Sequence, residues 1–477
     1  MDARADRTAI PLAVDLDGTL IATDLLWEGL FLLLRQHPLA FLLVPFWLLG
    51  GPARLKNEIA ARVDIDPASL PYRPAVTARL AEDKAAGRRI ILATGTPRKF
   101  AEAIAEHLGL FDEVMATEDG VNLTSSRKRA RLVEIFGDGG FDYVGNSRHD
   151  LQVFGAAREA IVVAPDRAAA RWQAAHGCEL VPGERPDLRA VVKMLRVHQW
   201  LKNTLIAVPM VLSHEYLNIE MVVACLIAFF SFSTAASAIY IINDFFDLAL
   251  DRKHPTKRNR PFASGRLSIP FGLASIVVLL ATSTVLAALL DPQFWLVLAG
   301  YLVATTAYSV SLKRMLLIDV LTLAGLYTMR ILGGAAATGT DVSFWLLAFS
   351  IFFFLSLALV KRFVELDDGE LERGVRLAGR GYRAEDIDII GQSGVASGFA
   401  AVLVLALYID SGSVRELYGE PWMVWPLAPI VLYIIMRIWV LARRGEMHED
   451  PVVFIIRDWR SQLVAGFGAV LLVAASL

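Results

Sequence analysis

The sequence predicts a multi-domain protein: an N-terminal α/β domain of doubly wound, Rossmann-like type with an inserted apolar cap, then an all-α polytopic membrane domain of about nine transmembrane helices. Three observations carry that prediction. Of 477 residues, 55% are hydrophobic and 20% charged, with a mean hydropathy of +0.48, too apolar for an ordinary soluble chain. Residues 1–185 alternate short apolar runs with polar, Ala-rich stretches. From about residue 197 onward, apolar segments recur that are mostly long enough to cross a hydrocarbon core of about 30 Å. The net charge of −2 is unevenly spread and offers no footprint for nucleic acid. Cys178 and Cys225 are the only cysteines, which excludes a disulfide framework and a Cys-rich zinc site.

In the first part, AVDLD (13–17), RIILAT (89–94), YVGN (143–146) and AIVVAP (160–165) read as buried parallel strands, each bounded by turn or helix-start residues. Ligands of such sheets lie at the C-terminal strand ends. The α/β domain is expected over residues 1–185, with a cap insertion over about 20–85 and a linker over 186–196. The opening MDARADRTAIPLAVDLDGTL carries charges and reaches an acidic strand before any long apolar run, unlike a signal peptide. Within the cap, the apolar stretch Leu25–Gly50 is interrupted by Glu28, Arg35, His37, Pro38 and Pro45. It is too broken for a span and reads as interfacial helices lying on the membrane, with a buried cap core as the alternative. Phe41 and Trp47 are its aromatic residues expected to matter for a lipid substrate.

Asp15, Asp17 and Thr19 stand as DLDGT at the end of the first strand. A carboxylate there can attack phosphorus, and a second acid two residues later points the same way and can protonate the leaving oxygen. Thr94 then ends RIILAT, Lys128 precedes a helical ARLVEIFG, and GNSRHD supplies Asn146 and Asp150.

The membrane part, residues 197–477, offers apolar segments at roughly 198–213, 220–243, 269–290, 293–309, 316–336, 342–360, 393–410, 421–442 and 461–477. Lys193, Arg196, the 252–266 basic run, Lys313, Arg314, the Lys361–Arg383 loop, Arg443, Arg444, Arg457 and Arg460 fall on one side, and little beyond Arg415 on the other. The positive-inside rule makes the first side cytoplasmic, in a bacterial-type inner (plasma) membrane, with the α/β domain and the phosphate-handling residues on that side.

Between Asn243 and Gly265 the chain reads NDFFDLALDRKHPTKRNRPFASG. Asp244, Asp247 and Asp251 follow at steps of three and four, which on a continuous helix brings the carboxylates to one face. Hard oxygen ligands clustered this way suit Mg²⁺, which shares its coordination with substrate phosphates. Lys257, Arg258 and Arg260 come next, so metal-binding acids and phosphate-binding bases share one segment. Carboxylates at a membrane mouth are costly and usually functional.

The block NDxxDxxxDRxHPTKRxRP resembles the first aspartate motif of the UbiA-type intramembrane prenyltransferases, and the resemblance covers about the C-terminal three-fifths of the chain. It implies that the acids hold a diphosphate through Mg²⁺. The order DLDGT, Thr94, Lys128, GNSRHD is similar to the haloacid dehalogenase (HAD) superfamily over nearly all of residues 10–165. That likeness implies Asp15 as nucleophile, Asp17 as general acid/base, Thr94 and Lys128 on the transferring phosphoryl group, and Mg²⁺ on Asp15, the Asp17 carbonyl and motif-four residues Asn146 and Asp150. Where the superfamily often has GDxxxD, this chain has Gly145-Asn146, a neutral oxygen that weakens the metal site or shifts it toward Asp150.

Most aromatic prenyltransferases of the UbiA type carry a second acidic DxxxD motif after the sixth span. Here the chain reads LALVKRFVEL, with Lys361, Arg362 and Glu365, which suits a phosphate monoester better than a second metal. RVHQWLKN (196–203) with Lys202 and Asn203, YSVSLKR (308–314) with Tyr308 and Lys313, IDV (318–320) with Asp319, and MRILGGAAA (329–337) with Arg330 resemble the decaprenyl-phosphate phosphoribosyltransferase branch. With Asn243 and the basic run, these make up the expected substrate-binding set. The resemblance implies that a polyprenyl phosphate attacks phosphoribosyl pyrophosphate (PRPP) and releases pyrophosphate. The expected protein is therefore a bifunctional, Mg²⁺-dependent enzyme in the bilayer, whose HAD domain removes the 5-phosphate of the lipid-linked phosphoribose, and homo-oligomerisation stays open. Two alternatives remain, an aromatic prenyltransferase using polyprenyl diphosphate, and a single-activity transferase with a non-catalytic docking module.

Overall fold

The computed structural model describes residues 9–118, 120–183, 187–367, 380–412, 414, 418–447 and 450–476. Arg415, residues 184–186 at the approach to the expected linker and residues 368–379 of the Lys361–Arg383 loop lie outside the described residues. The chain divides into two compact units, Met1–Leu195 with Ile241–Ser275, and Arg196–Tyr240 with Ile276–Leu477. The aspartate-rich segment therefore groups with the α/β unit.

That unit is built on six parallel strands, β1 (Leu12–Val14), β2 (Ile90–Pro97), β3 (Glu113–Thr117), β4 (Asp142–Gly145), β5 (Ala160–Val163) and β6 (Glu179–Val181), in the order β3-β2-β1-β4-β5-β6. Leu12 pairs with Ile90 on one side and Asp142 on the other. The order reverses at β1, so the loops after β1, β2 and β4 meet at a topological switch point. β1 and β2 are buried throughout, as expected of strands covered on both faces. One core joins Val14 and Leu92 to Leu33, Trp47 and Ile59 of the cap, and the other joins Ala13 and Ile91 to Tyr143 and Phe154.

The apolar stretch in the cap folds as three helices, α1 (Leu25–Gln36), α2 (Pro38–Phe41) and α3 (Val44–Leu49), and α4 (Pro52–Ala60) follows it. Asp24 caps α1 by accepting from the Leu26 N–H at 2.9 Å. Pro38, Pro45 and Pro52 occupy the first turns of the next three, where a missing N–H costs nothing, so the prolines restart helices rather than end them. Leu25, Leu33, Leu55 and Ile59 are buried, whereas Leu39, Leu42, Phe46 and Leu49 are exposed. The expectation for the aromatics needs correction: Trp47 is only 4% exposed and lies under the Arg62 guanidinium, 4.7 Å from its ring centroid, and Phe41 packs partly buried on the core. Phe46 takes the exposed place.

Lys128 is carried by α5 (Ser126–Phe136). Seven helices among the described residues are long and apolar enough to cross a membrane: α6 (Ile219–Phe246), α8 (Ile269–Ala287), α9 (Pro292–Val310), α10 (Ile318–Thr338), α11 (Phe344–Asp367), and the helices ending at Ile409 and Arg443. A short helix α7 (Leu248–Lys253) follows α6. The expected count of nine falls to seven by this measure. The first expected span is a 3-10 helix, Val197–Ala207, followed by a five-residue helix, Val208–Leu212, and it buries the polar Lys202 and Asn203. The last is a shorter apolar helix, Trp459–Ala475. Within the helical unit, one core centres on Phe232, Phe294 and Tyr301, and another on Tyr327, Phe354, Phe363 and Trp439.

Candidate active sites

In the α/β unit, β1 ends one residue before Asp15, which is buried. Its carboxylate accepts from Lys128 Nζ at 2.7 Å and from Thr19 Oγ1 at 3.1 Å. Lys128 also reaches Asp150 at 3.4 Å and donates to the Tyr143 hydroxyl at 2.8 Å, which in turn donates to Asp150 at 2.6 Å. The other Asp150 oxygen accepts from the N–H groups of Asn146 and Ser147 at 3.1 and 3.0 Å, which fixes the turn after β4. Asp17 accepts from the Leu25 N–H at 2.9 Å and from the Thr96 hydroxyl. Thr94 Oγ1 accepts from the Thr96 N–H at 3.1 Å. Asn146 lies against the DLDGT loop: a Cβ on Gly18, whose φ is +78°, would meet Asn146 Nδ2 at 2.2 Å, so only glycine fits there. The six residues expected in this centre, Asp15, Asp17, Thr94, Lys128, Asn146 and Asp150, thus come from the ends of adjacent strands and from α5.

Burial dominates the electrostatics. It pushes the Asp15 carboxyl up to about 7 although Lys128 opposes it, and the Asp17 carboxyl up to about 6 with Asp24 adding to the effect. Asp150 is held below the usual range, because Lys128, the Tyr143 hydroxyl and two backbone N–H groups outweigh its burial. Sequence reasoning missed Tyr143, Thr96 and Lys56. Lys56 on α4 donates to the Gly95 carbonyl at 2.6 Å and lines a small cavity with Asp17, Asp24, Leu25 and Phe100. Tyr143 and Thr96 lie inside or just after strands already recognised, where a polar residue amid buried neighbours was the available signal.

The aspartate segment departs from a single helical face. α6 stops at Phe246, Asp247 is a turn residue, and Asp251 lies on α7. Arg260 takes the space between two of the acids, donating to Asp244 at 3.1 Å and to Asp251 at 2.6 Å. Asn243 Nδ2 donates to Asp247 at 3.1 Å. Lys257 and Arg258 are exposed on a 3-10 turn. Among the described residues no three His, Cys, Asp or Glu side chains are grouped to hold a metal. Arg260 thus bridges two of the segment's three acids, as Lys128 bridges Asp15 and Asp150 in the α/β centre, so a cation would share each acid pair with a basic side chain. Both donor sets are all oxygen and suit Mg²⁺: three carboxylates in the aspartate segment, and in the α/β centre two carboxylates, Asp15 and Asp150, with neutral oxygens from Asn146 and the Asp17 backbone.

In the helical unit, Asp450 accepts from Lys202 Nζ at 2.6 Å and from Tyr327 Oη at 3.2 Å, and lies 3.6 Å from Lys361 Nζ. Arg330 donates to Asn203 at 2.8 Å and to Tyr301 Oη at 3.1 Å, and its guanidinium shares the Tyr327 ring with Lys202. Asn203 donates to Ser233 at 2.9 Å. Lys202 and Lys361 therefore meet at one carboxylate, and Arg330, held by Asn203, joins them through the Tyr327 ring. Arg362 is not part of this group. It is fully buried, 2.9 Å from Asp319, and pairs with Glu365 as well, so its charge is committed inside the fold. Tyr308 accepts from Arg380 at 3.0 Å, as does the Lys313 carbonyl at 3.4 Å, and Tyr382 donates to Asp319. Asp450 went unnoticed in the sequence because it closes the acidic run GEMHED before a proline, with no metal- or phosphate-binding motif around it.

A helical unit with seven apolar spans, joined to a parallel-sheet unit with a strand-end DxD centre, defines a multi-pass membrane transferase carrying a phosphatase-like domain. The chain belongs to the UbiA prenyltransferase family, whose model matches residues 203–459, and residues 12–155 match the haloacid dehalogenase-like hydrolases. It is 38% identical to the uncharacterized protein y4nM of Sinorhizobium fredii, over 95% of this chain and 89% of that one. It is 36% identical to the nodulation protein NoeC of Azorhizobium caulinodans, over 56% of this chain and 86% of NoeC. It is 31% identical to the decaprenyl-phosphate phosphoribosyltransferase of Mycobacterium tuberculosis, over 58% of this chain and 90% of that enzyme.

Proposed function

We propose that the protein transfers 5-phosphoribosyl from PRPP to a polyprenyl phosphate of decaprenyl type and then removes the 5-phosphate from the lipid-linked product, both at the cytoplasmic face of a bacterial inner membrane. The observation that carries this reading is Lys202 and Lys361 meeting at Asp450, with Arg330 sharing the Tyr327 ring beside them, a basic site where an aromatic prenyltransferase of this family would carry a second acidic motif. The likeness to the decaprenyl-phosphate phosphoribosyltransferase of Mycobacterium tuberculosis over 90% of its length supports it.

In the transferase step, an oxygen of the lipid phosphate forms a bond to the anomeric carbon of PRPP as the bond from that carbon to the pyrophosphate oxygen breaks. Lys202, Lys361 and Arg330 would hold phosphate charge, and Asn203 fixes the Arg330 guanidinium. Asp244, Asp247 and Asp251 would hold Mg²⁺, whose positive charge would be available to the pyrophosphate, and Asn243, Lys257, Arg258 and Arg260 would share the pyrophosphate's charge. In the phosphatase step, an Asp15 oxygen bonds to phosphorus, the ester bond breaks, and Asp17 passes its proton to the leaving ribose oxygen. Water then attacks the aspartyl-phosphate, Asp17 takes the water's proton, and phosphate leaves with Asp15 restored. Lys128 and Thr94 would hold the phosphoryl oxygens. Mg²⁺ on Asp15, Asp150, Asn146 and the Asp17 carbonyl would add positive charge there. Fusion raises the local concentration of the shared intermediate.

Membranes containing the protein, given labelled PRPP, decaprenyl phosphate and Mg²⁺, should yield pyrophosphate and a ribosylated lipid lacking the 5-phosphate. Prenylation of an aromatic ring with no use of PRPP would refute the reading.

A further inference from the structure

We infer that Glu28 is a positioning residue for the phosphatase centre, tying the Asp17 loop to the aspartate segment through Arg252. The inference rests on the phosphatase reading of Asp15 and Asp17 but adds a residue and a connection that neither motif contains. Glu28 lies on the first turn of α1, buried, and Arg252 on α7 is partly buried with its side chain only 6% exposed. The guanidinium grips the carboxylate at 2.9 and 2.6 Å, one nitrogen to each oxygen, while its Nε donates to the Ala263 carbonyl at 3.1 Å.

From Glu28, two short paths lead to Asp17. In one, the carboxylate accepts from the Thr23 hydroxyl, and the Thr23 carbonyl accepts from the Gly18 N–H at 3.0 Å, one residue past Asp17. In the other, Glu28 anchors α1, whose Leu25 N–H donates directly to Asp17 Oδ1. From Arg252 the path continues to the neighbouring Asp251, held by Arg260, which also holds Asp244.

The packing around the pair is equally close. A Cβ on Gly265, φ +74°, would meet Ala22 Cβ at 2.5 Å and its carbonyl oxygen at 2.7 Å, Arg35 donates to the Phe246 carbonyl at 2.9 Å, and the Phe31 and Phe245 rings lie 4.8 Å apart. Loop 18–25 is therefore set from the aspartate segment as well as from its own domain. A carboxylate buried in this way is retained for its partner, since replacing either member leaves the other uncompensated.

The step that depends on this geometry is proton delivery from Asp17 to the leaving oxygen, as the Asp15–phosphorus bond forms and the ester bond breaks. A misplaced acid slows departure of an alkoxide but barely affects a leaving group that departs without a proton. The test uses the full chain in detergent with Mg²⁺ and two soluble esters, glycerol 2-phosphate and p-nitrophenyl phosphate. Glu28→Gln and Arg252→Gln should each lower kcat for glycerol 2-phosphate about tenfold and for p-nitrophenyl phosphate less than about twofold. The double variant should be no worse than either single one, as expected of two groups acting as one. If Glu28→Gln fails to fold, Thr23→Val, which removes only the hydroxyl held by Glu28, should show the same selectivity. Equal losses on both esters, no loss, or additive losses in the double variant would overturn the inference while leaving the phosphatase reading intact. Wild-type protein that hydrolyses neither ester would overturn both.

Discussion

Arg362 is fully buried 2.9 Å from Asp319, whereas Lys361, one residue earlier, lies 3.6 Å from Asp450 and remains partly exposed. Adjacent residues on a helix point about 100° apart, so neighbours in the sequence are divided between the buried Asp319 pair and the Asp450 cluster. Arg362→Leu strands the Asp319 carboxylate and should cost about 3–5 kcal/mol of stability, read as a lower unfolding temperature in detergent. Lys361→Ala should instead raise the KM for PRPP about tenfold with little change in unfolding temperature. A raised KM for the lipid phosphate alone would move Lys361 to the acceptor side. Asp15 and Asp17, pushed by burial up to about 7 and about 6, give a further test. Their folded values exceed the unfolded ones, so the native state binds more protons between about pH 4 and 7, and stability falls as pH rises through that window. Without divalent cations, the unfolding temperature of the α/β unit should drop from pH 5 to pH 7.5, and Asp15→Asn should flatten the slope. Mg²⁺ added at pH 7.5 should recover much of the loss, and a flat profile in the wild type would contradict the burial argument. The DLDGT, Lys128 and GNSRHD residues were legible in sequence because their chemistry and order are local. Asp450 and the Arg260 bridge were not, because each is defined by a partner many residues away or by a turn that breaks a helix.

The cap shows what periodicity and breakers can and cannot convey. Its prolines announced short elements, and its apolar content announced burial or lipid, but which side chains face which way depends on how four helices fold together. The result is a buried face carrying Leu33 and Trp47 and an exposed apolar face carrying Leu39, Leu42, Phe46 and Leu49. Exposed apolar clusters on an otherwise polar domain mark contact surfaces, and a lipid-linked substrate supplies a reason for this one. Leu42→Asp with Phe46→Asp should slow hydrolysis of the lipid-linked phosphoribose at least about tenfold while leaving p-nitrophenyl phosphate hydrolysis within about twofold. Similar losses on both would make the face a folding requirement. In the sheet, four strands were legible as uniform apolar runs. β3 and β6 escaped because EVMAT and ELV open on a glutamate and are short, and parallel pairing to β2 and β5 stabilises them where local pattern does not.

At the scale of the whole chain, two chemistries should separate cleanly by substitution. Asp15→Asn should still consume PRPP but accumulate the phosphorylated lipid in place of its dephosphorylated form. Asp247→Asn should abolish lipid product while p-nitrophenyl phosphate hydrolysis continues, followed with labelled PRPP and thin-layer separation of lipids. Unchanged transfer by Asp247→Asn at saturating Mg²⁺ would remove the aspartate segment from the reaction. The sequence made two halves visible through composition alone. It did not reveal that Ile241–Ser275 groups with the α/β unit, because that grouping depends on Glu28, Arg35 and Ala22 meeting residues more than two hundred positions later.

That separation has a consequence for biosynthesis. Glu28 and Arg252 are 224 residues apart, and ribosomes add about 5–20 residues per second. For on the order of ten to forty seconds the newly made α/β domain must hold a carboxylate meant for burial, and the apolar ring of Phe31, with no counterpart yet synthesised. The domain can form its sheet in that interval, but loop 18–25 acquires its final setting only after the first long apolar helix has emerged. Final setting of the haloacid dehalogenase-like centre would thereby follow synthesis of that helix, so a chain stopped before Arg252 would carry a folded sheet with loop 18–25 still unset.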